Sequence, residues 1–154
     1  MAGTKRHTGT TEVDMTGLDG TVGFLLKRAQ LAVSRDIKNV FGTFDITAVQ
    51  FSVLTVVDRN PGMAQRDLAL ALDVERPRMV PVLDTLERRD LVVRRPDPND
   101  GRSRRIHLTD AGSVLLRELT EQFLKLERRL ADRLGEDDLE QLLAALRQLA
   151  DPSS

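Results

Sequence analysis

One segment limits the fold more than any other: Leu91-Val92-Val93-Arg94-Arg95, then Pro96-Asp97-Pro98-Asn99-Asp100-Gly101, then Arg104-Arg105-Ile106-His107-Leu108. On either side of it the apolar residues recur at steps of three and four, the helical period. Within it, β-branched residues replace that period, and a run of Pro, Asp, Asn and Gly parts two apolar stretches. The pattern predicts a single β-hairpin with an arginine-rich tip, set in a helical chain.

The remaining elements follow from periodicity and punctuation. Residues 1–16, rich in Thr and Gly without an apolar period, predict a mobile tail. Leu18, Val22, Leu25, Leu26, Ala29, Ala32, Val33, Ile37 and Val40 mark an amphipathic helix from Gly17 to about Val40. Thr47 is a good N-cap for a second helix through Val57, which Asn60-Pro61-Gly62 ends. Two short helices, about 64–72 and 76–89, are separated by Asp73-Val74-Glu75, a turn of helix-turn-helix length in which Asp73 can take positive φ. After the hairpin, Thr109 caps a long helix, 110–134, with Leu116, Phe123 and Leu130 every seven residues and Leu119 and Leu126 between. Gly135 stops it, and Glu136-Asp137-Asp138 opens a last helix bearing Leu139, Leu142, Leu143, Leu146 and Leu149. A hairpin directly after a helix-turn-helix is a wing. The expected fold is mainly α with a small β-hairpin wing, one domain over 17–150.

Composition removes many functions. With no cysteine, disulfides, thiolate zinc sites, iron–sulfur clusters and thiol switches are excluded. Two histidines, His7 and His107, are too few for a His-built metal site in one chain. There is no phosphate-cradling glycine loop, no carboxylate pair beside a histidine and no nucleophile motif, so neither an enzyme nor a cofactor is expected. No apolar run approaches the roughly 18 residues of a membrane span, and no hydrophobic leader is present, which predicts a cytoplasmic protein.

The net charge of −1 argues against nucleic acid only until it is divided along the chain. Residues 1–74 are neutral, with eight charges of each sign; residues 75–105 hold nine bases against six acids; residues 106–154 hold six against ten. All nine bases of the middle segment are arginine, the side chain suited to phosphate and guanine. Arginines on a hairpin also serve to keep an exposed edge soluble. Placed after a helix-turn-helix, they favour contact with DNA.

Taken together, these residues resemble the MarR family of winged helix-turn-helix regulators. Asp100-Gly101-Arg102-Ser103-Arg104-Arg105-Ile106-His107-Leu108-Thr109 matches the family's wing pattern; Ile46–Leu54 is similar to its second helix; Leu83–Val92 is similar to the end of its recognition helix. The resemblance implies a winged helix-turn-helix over about 46–109 between dimerisation helices, 17–41 and 110–150, of a homodimer. Its implied activity is ligand-responsive repression at a pseudo-palindromic operator in double-stranded DNA. By position, Arg102 is the wing-tip arginine that enters the minor groove, and Asp100 orients it. Arg76, Pro77 and Arg78 begin the recognition helix; Gln65 and Arg66 suit phosphate contacts; Arg104 and Arg105 complete the basic wing.

Pro81 departs from the family pattern. Either Pro77 opens the helix and Pro81 lies one turn on, or the regular helix starts near Val80. For a small-molecule effector, the resemblance points to Phe24, Lys27, Arg28 and Phe51, an aromatic wall with cations; the same phenylalanines serve equally as core. The rival class is a winged-helix module for protein–protein contact without an effector.

Overall fold

The computed structural model describes residues 5–8, 11–97 and 100–151, with the side chains of 5–8, 11–12 and 100–103 left aside. The chain divides into two compact units, one up to Asn39 and one from Val40 onward.

In the first unit, β1 (Lys5–Thr8) and β2 (Thr11–Asp14) pair antiparallel where the sequence predicts an unstructured tail. In the register Lys5 is the backbone partner of Asp14 and His7 that of Glu12, and the sequence of the two strands holds the β-favouring residue types Thr8, Thr11 and Val13. Asp14 accepts from the N–H and Oγ1 of Thr16 at 2.8 and 2.6 Å, which holds its carboxyl below the usual range. A turn follows, with Gly17 at φ 90°, and α1 (Val22–Gly42) begins only after it, five residues later than the apolar period suggests. Val22, Leu25 and Leu31 are exposed on α1.

The second unit holds α2 (Ala48–Arg59), β3 (Met63–Ala64), α3 (Gln65–Ala71), α4 (Arg76–Arg88), β4 (Val92–Asp97), β5 (Asp100–Leu108), α5 (Asp110–Leu134) and α6 (Glu136–Ala150). The expected hairpin is present, and both of its strands run further toward the tip than the apolar residues mark. The sequence gives no warning of β3, which turns the wing into a three-stranded sheet of order β3-β5-β4, with Met63 opposite Ile106 and Ala64 opposite Arg105. Gly62 makes this possible. Its φ of 80° turns the chain onto β5, its N–H donates to the Ile106 carbonyl at 2.9 Å, and a Cβ there would lie 3.2 Å from His107 Cε1.

The core of this unit is drawn from every helix except α6 and from the sheet. Phe41, Leu54, Leu68, Met79, Leu83, Leu86, Ile106, Leu119 and Leu126 are fully buried, each contributing roughly 1.5–3 kcal/mol of hydrophobic stabilisation. Two expected caps are in place. Thr47 and Gln50 form a reciprocal capping box at 3.2 and 2.8 Å, and Thr109 Oγ1 accepts from the Gly112 N–H at 2.9 Å. Gly112 is a glycine because α5 starts against the backbone of Leu91: an added Cβ would fall 2.0 Å from the Leu91 carbonyl oxygen. α6 is different in kind, for none of its residues is buried.

Candidate nucleic-acid interface

The helix-turn-helix is α3, a turn and α4. Asp73 takes φ 50° in the turn, as expected of a short polar residue there, and Val74 N–H closes it on the Ala69 carbonyl at 2.9 Å. α4 begins at Arg76 with Pro77 in its first turn and continues through Pro81 to Arg88. The first of the two readings of Pro81 therefore holds. Its ring is exposed, and its carbonyl accepts from Thr85 Oγ1 at 2.9 Å.

The starts of α3 and α4 and the middle of β5 enclose an open groove of about 410 Å³. Gln65, Arg66, Arg76, Pro77 and Arg104, five residues singled out from sequence, line it together with Ala69, Met79 and Val80. Arg76, Pro77 and Arg78 are all exposed. Arg66 pairs with Asp67 at 3.1 Å, but both side chains are well exposed, so the pair is weak and leaves the guanidinium accessible. The expected calls on Asp100 and Arg102 concern side chains outside the described residues; their backbone lies in β5.

Arg105 does not join the groove. Its Nε and Nη2 donate to Asp97 Oδ2 at 2.7 and 2.6 Å, and its Nη1 donates to the Gly62 carbonyl at 3.2 Å. Asp97 is 5% exposed, so the carboxylate is shielded, and the pair ties the tip end of β4 to β5 while Arg105 also reaches Gly62. Arg105, expected among the DNA-facing residues, is engaged within the wing while its side chain stays 38% exposed. The reason is geometric: Arg105 stands opposite Arg95, which makes Asp97 its diagonal neighbour across the hairpin.

Arg94, another of the hairpin arginines, is likewise turned inward. Nη2 meets Asp84 Oδ1 at 2.6 Å and the Val80 carbonyl at 3.4 Å; Nη1 meets Glu87 Oε2 at 3.1 Å; its backbone N–H donates to Glu87 Oε1 at 3.2 Å. Its side chain is 19% exposed, and its Nε has no hydrogen-bond partner among the described residues. This fork ties β4 to α4. A third arginine, Arg89, donates to the carbonyls of Phe44 (3.0 Å) and Asp45 and secures the loop before α2. Residue type alone does not separate these struts from the arginines left facing outward.

The effector candidates fall on different units. In the first, the Arg28 guanidinium lies 5.8 Å from the centre of the Phe24 ring, a cation–π contact, and Lys27 is exposed. In the second, half-buried Phe51 joins Phe41 and Phe123 in a cluster with ring centres 4.7 to 6.1 Å apart. Among the described residues no group of His, Asp and Glu could hold a metal ion, and no helix is long and apolar enough to cross a membrane.

Comparison with known proteins gives this geometry a context. The MarR family model matches residues 44–103. A Thauera aromatica protein described as a putative transcriptional regulatory protein for the hcr operon is 31% identical over 131 residues, 84% of this chain and 79% of its own. The transcriptional repressor CouR, solved bound to a 23-mer DNA duplex, is 39% identical with a TM-score of 0.88, over 92% of this chain and 100% of that one. CouR bound to p-coumaroyl-CoA is 36% identical with a TM-score of 0.84, over 91% and 99%.

Proposed function

Because the chain belongs to the MarR family of winged helix-turn-helix transcriptional regulators, we propose that it is a cytoplasmic repressor that binds a pseudo-palindromic operator as a homodimer and leaves it when an aromatic or aromatic-acyl effector binds. It is a regulator and not an enzyme. One observation carries the DNA reading: Gln65, Arg66, Arg76, Pro77 and Arg104 converge on a single groove at the start of α4, the end of a recognition helix that meets base edges. In this reading Arg76 and Arg78 reach guanine, Gln65 and Arg66 hold phosphates, and Arg104 adds to the wing's charge. Arg102, oriented by Asp100, enters the minor groove.

Homodimerisation is supported by the terminal helices. Leu142, Leu143 and Leu149 are 40%, 40% and 61% exposed on α6, an apolar face of the kind that a second copy covers. Effector chemistry is supported by CouR, which binds p-coumaroyl-CoA. Phe51, in its aromatic cluster, and the Phe24–Arg28 pair with neighbouring Lys27 are the side chains suited to an aromatic acyl group or its acid.

The test begins with duplexes selected for binding from a random-sequence library, titrated by fluorescence anisotropy at several salt concentrations. Enrichment of a two-fold symmetric sequence is expected, with Arg66→Ala reducing the salt slope by about one unit and Arg102→Ala weakening binding without dissociating the dimer. An aromatic acyl-CoA thioester is expected to release the DNA. No enriched sequence, or binding that Arg102→Ala leaves unchanged, would overturn the assignment.

A further inference from the structure

The first two turns of α4 present two kinds of side chain to solvent. Arg76 and Arg78 are hydrogen-bond donors; Pro77, Val80 and Pro81 are hydrocarbon, all three exposed, with Val80 at 42%. Met79, Leu83 and Leu86 occupy the opposite, fully buried face, so the outward apolar residues are not a frayed part of the core. The helix reads RPRMVPVLDTLER and holds no Asn, Gln, Ser or Lys. It therefore lacks the amide side chain that contacts adenine in the major groove. A hydrocarbon surface at a base-reading position has one matching group there, the 5-methyl of thymine.

The surface is also rigid. Val80 is β-branched, with a single strongly preferred rotamer in a helix, and its carbonyl accepts from Arg94 Nη2 at 3.4 Å. Pro81 has its φ fixed by its ring, and its carbonyl is held by Thr85. Arg66, Arg76 and Arg104 line one groove with Pro77 and Val80, Arg78 is exposed on the same two turns, and Pro81 borders Arg88 beside Asp84 and Glu87, the two acids that Arg94 engages; the balance of charge around the patch favours a polyanion over another protein.

Building on the DNA-binding reading above, we propose that Val80 and Pro81 are specificity-determining residues that recognise thymine 5-methyl groups within each operator half-site. Pro77 borders the same surface, and Arg78 supplies the polar reading beside it. The half-site is then a guanine flanked by thymines, selected by shape and methyl contact as much as by hydrogen bonds. Pro81, which removes a backbone donor from the helix, is on this account a reading residue.

The experiment uses the intact protein and the duplex selected above. Each thymidine of one half-site is replaced in turn by deoxyuridine, which removes only the methyl, and Kd is measured. At one or two positions affinity is expected to fall about fourfold, the worth of one buried methyl. The same substitutions are then titrated against Val80→Ala, Pro81→Ala and, as a control, Arg78→Ala. In the first two, the ratio of deoxyuridine to thymidine affinity is expected to move toward one at the contacted position. In Arg78→Ala, overall affinity drops and the ratio stays. A purely structural role for Val80 or Pro81 lowers affinity for both duplexes equally and leaves the ratio unmoved. The proposal is overturned if the selected duplex binds but no deoxyuridine weakens it, or if the ratio persists in both alanine variants. If the selection enriches no duplex, DNA binding itself fails and this reading falls with it.

Discussion

The winged unit and α6 use leucine in opposite ways. Between Ile46 and Leu108, Leu54, Leu68, Leu83 and Leu86 are wholly enclosed by the chain's own elements. On α6, Leu142, Leu143 and Leu149 remain exposed among the described residues, though the helix is more amphipathic than α2 or α4, both of which pack. An apolar stripe thus records that a face is to be covered, without recording by what. The winged unit buries its leucine core within one chain, whereas the same chain leaves the α6 face open.

The sharpest way to break this contrast is to cut into both regions and compare. Leu83→Ala, at a site with no exposure, is expected to cost about 2–5 kcal/mol in chemical denaturation at any protein concentration. Gly112→Ala forces a methyl into the Leu91 carbonyl and is expected to cost about 1–3 kcal/mol, again independent of concentration. Thr47→Ala removes half of the capping box and is expected to lower stability by about 1 kcal/mol. The smallest intrinsic effect belongs to α6. Leu142→Ser with Leu143→Ser leaves the winged unit's circular dichroism and local amide-exchange protection unchanged, yet shifts sedimentation from dimer to monomer. A serine pair that unfolds the winged unit in dilute monomer would erase the distinction.

Elements defined by local chemistry were legible from the sequence. α5 occupies 110–134 as its Thr109 cap and Gly135 stop predict, and Asp73 takes the positive φ asked of it. What escaped depends on residues distant in the chain or on register. β3 exists because Gly62 turns two residues onto β5, and two residues carry no period. The arginines of 75–105 were equivalent as composition, yet they divide by partner. Arg94 is held by Asp84 and Glu87, and Arg105 by Asp97, while Arg76, Arg78 and Arg104 remain outward. The five convergent groove residues were identifiable because helix starts and strand register fix their positions; the pairing of Arg105 with Asp97 was not, because that diagonal relation appears only once the register is known.

The fork of Arg94 has a mechanical corollary. By gripping the Val80 carbonyl, Asp84 and Glu87 from β4, it clasps the wing to the very turn of α4 that carries the apolar reading surface. A head clasped this way behaves as the fixed jaw of a caliper. In the dimer proposed above, a signal would therefore act on the gap between two such jaws rather than on the shape of either, and DNA would be released when that gap no longer matched the helical repeat.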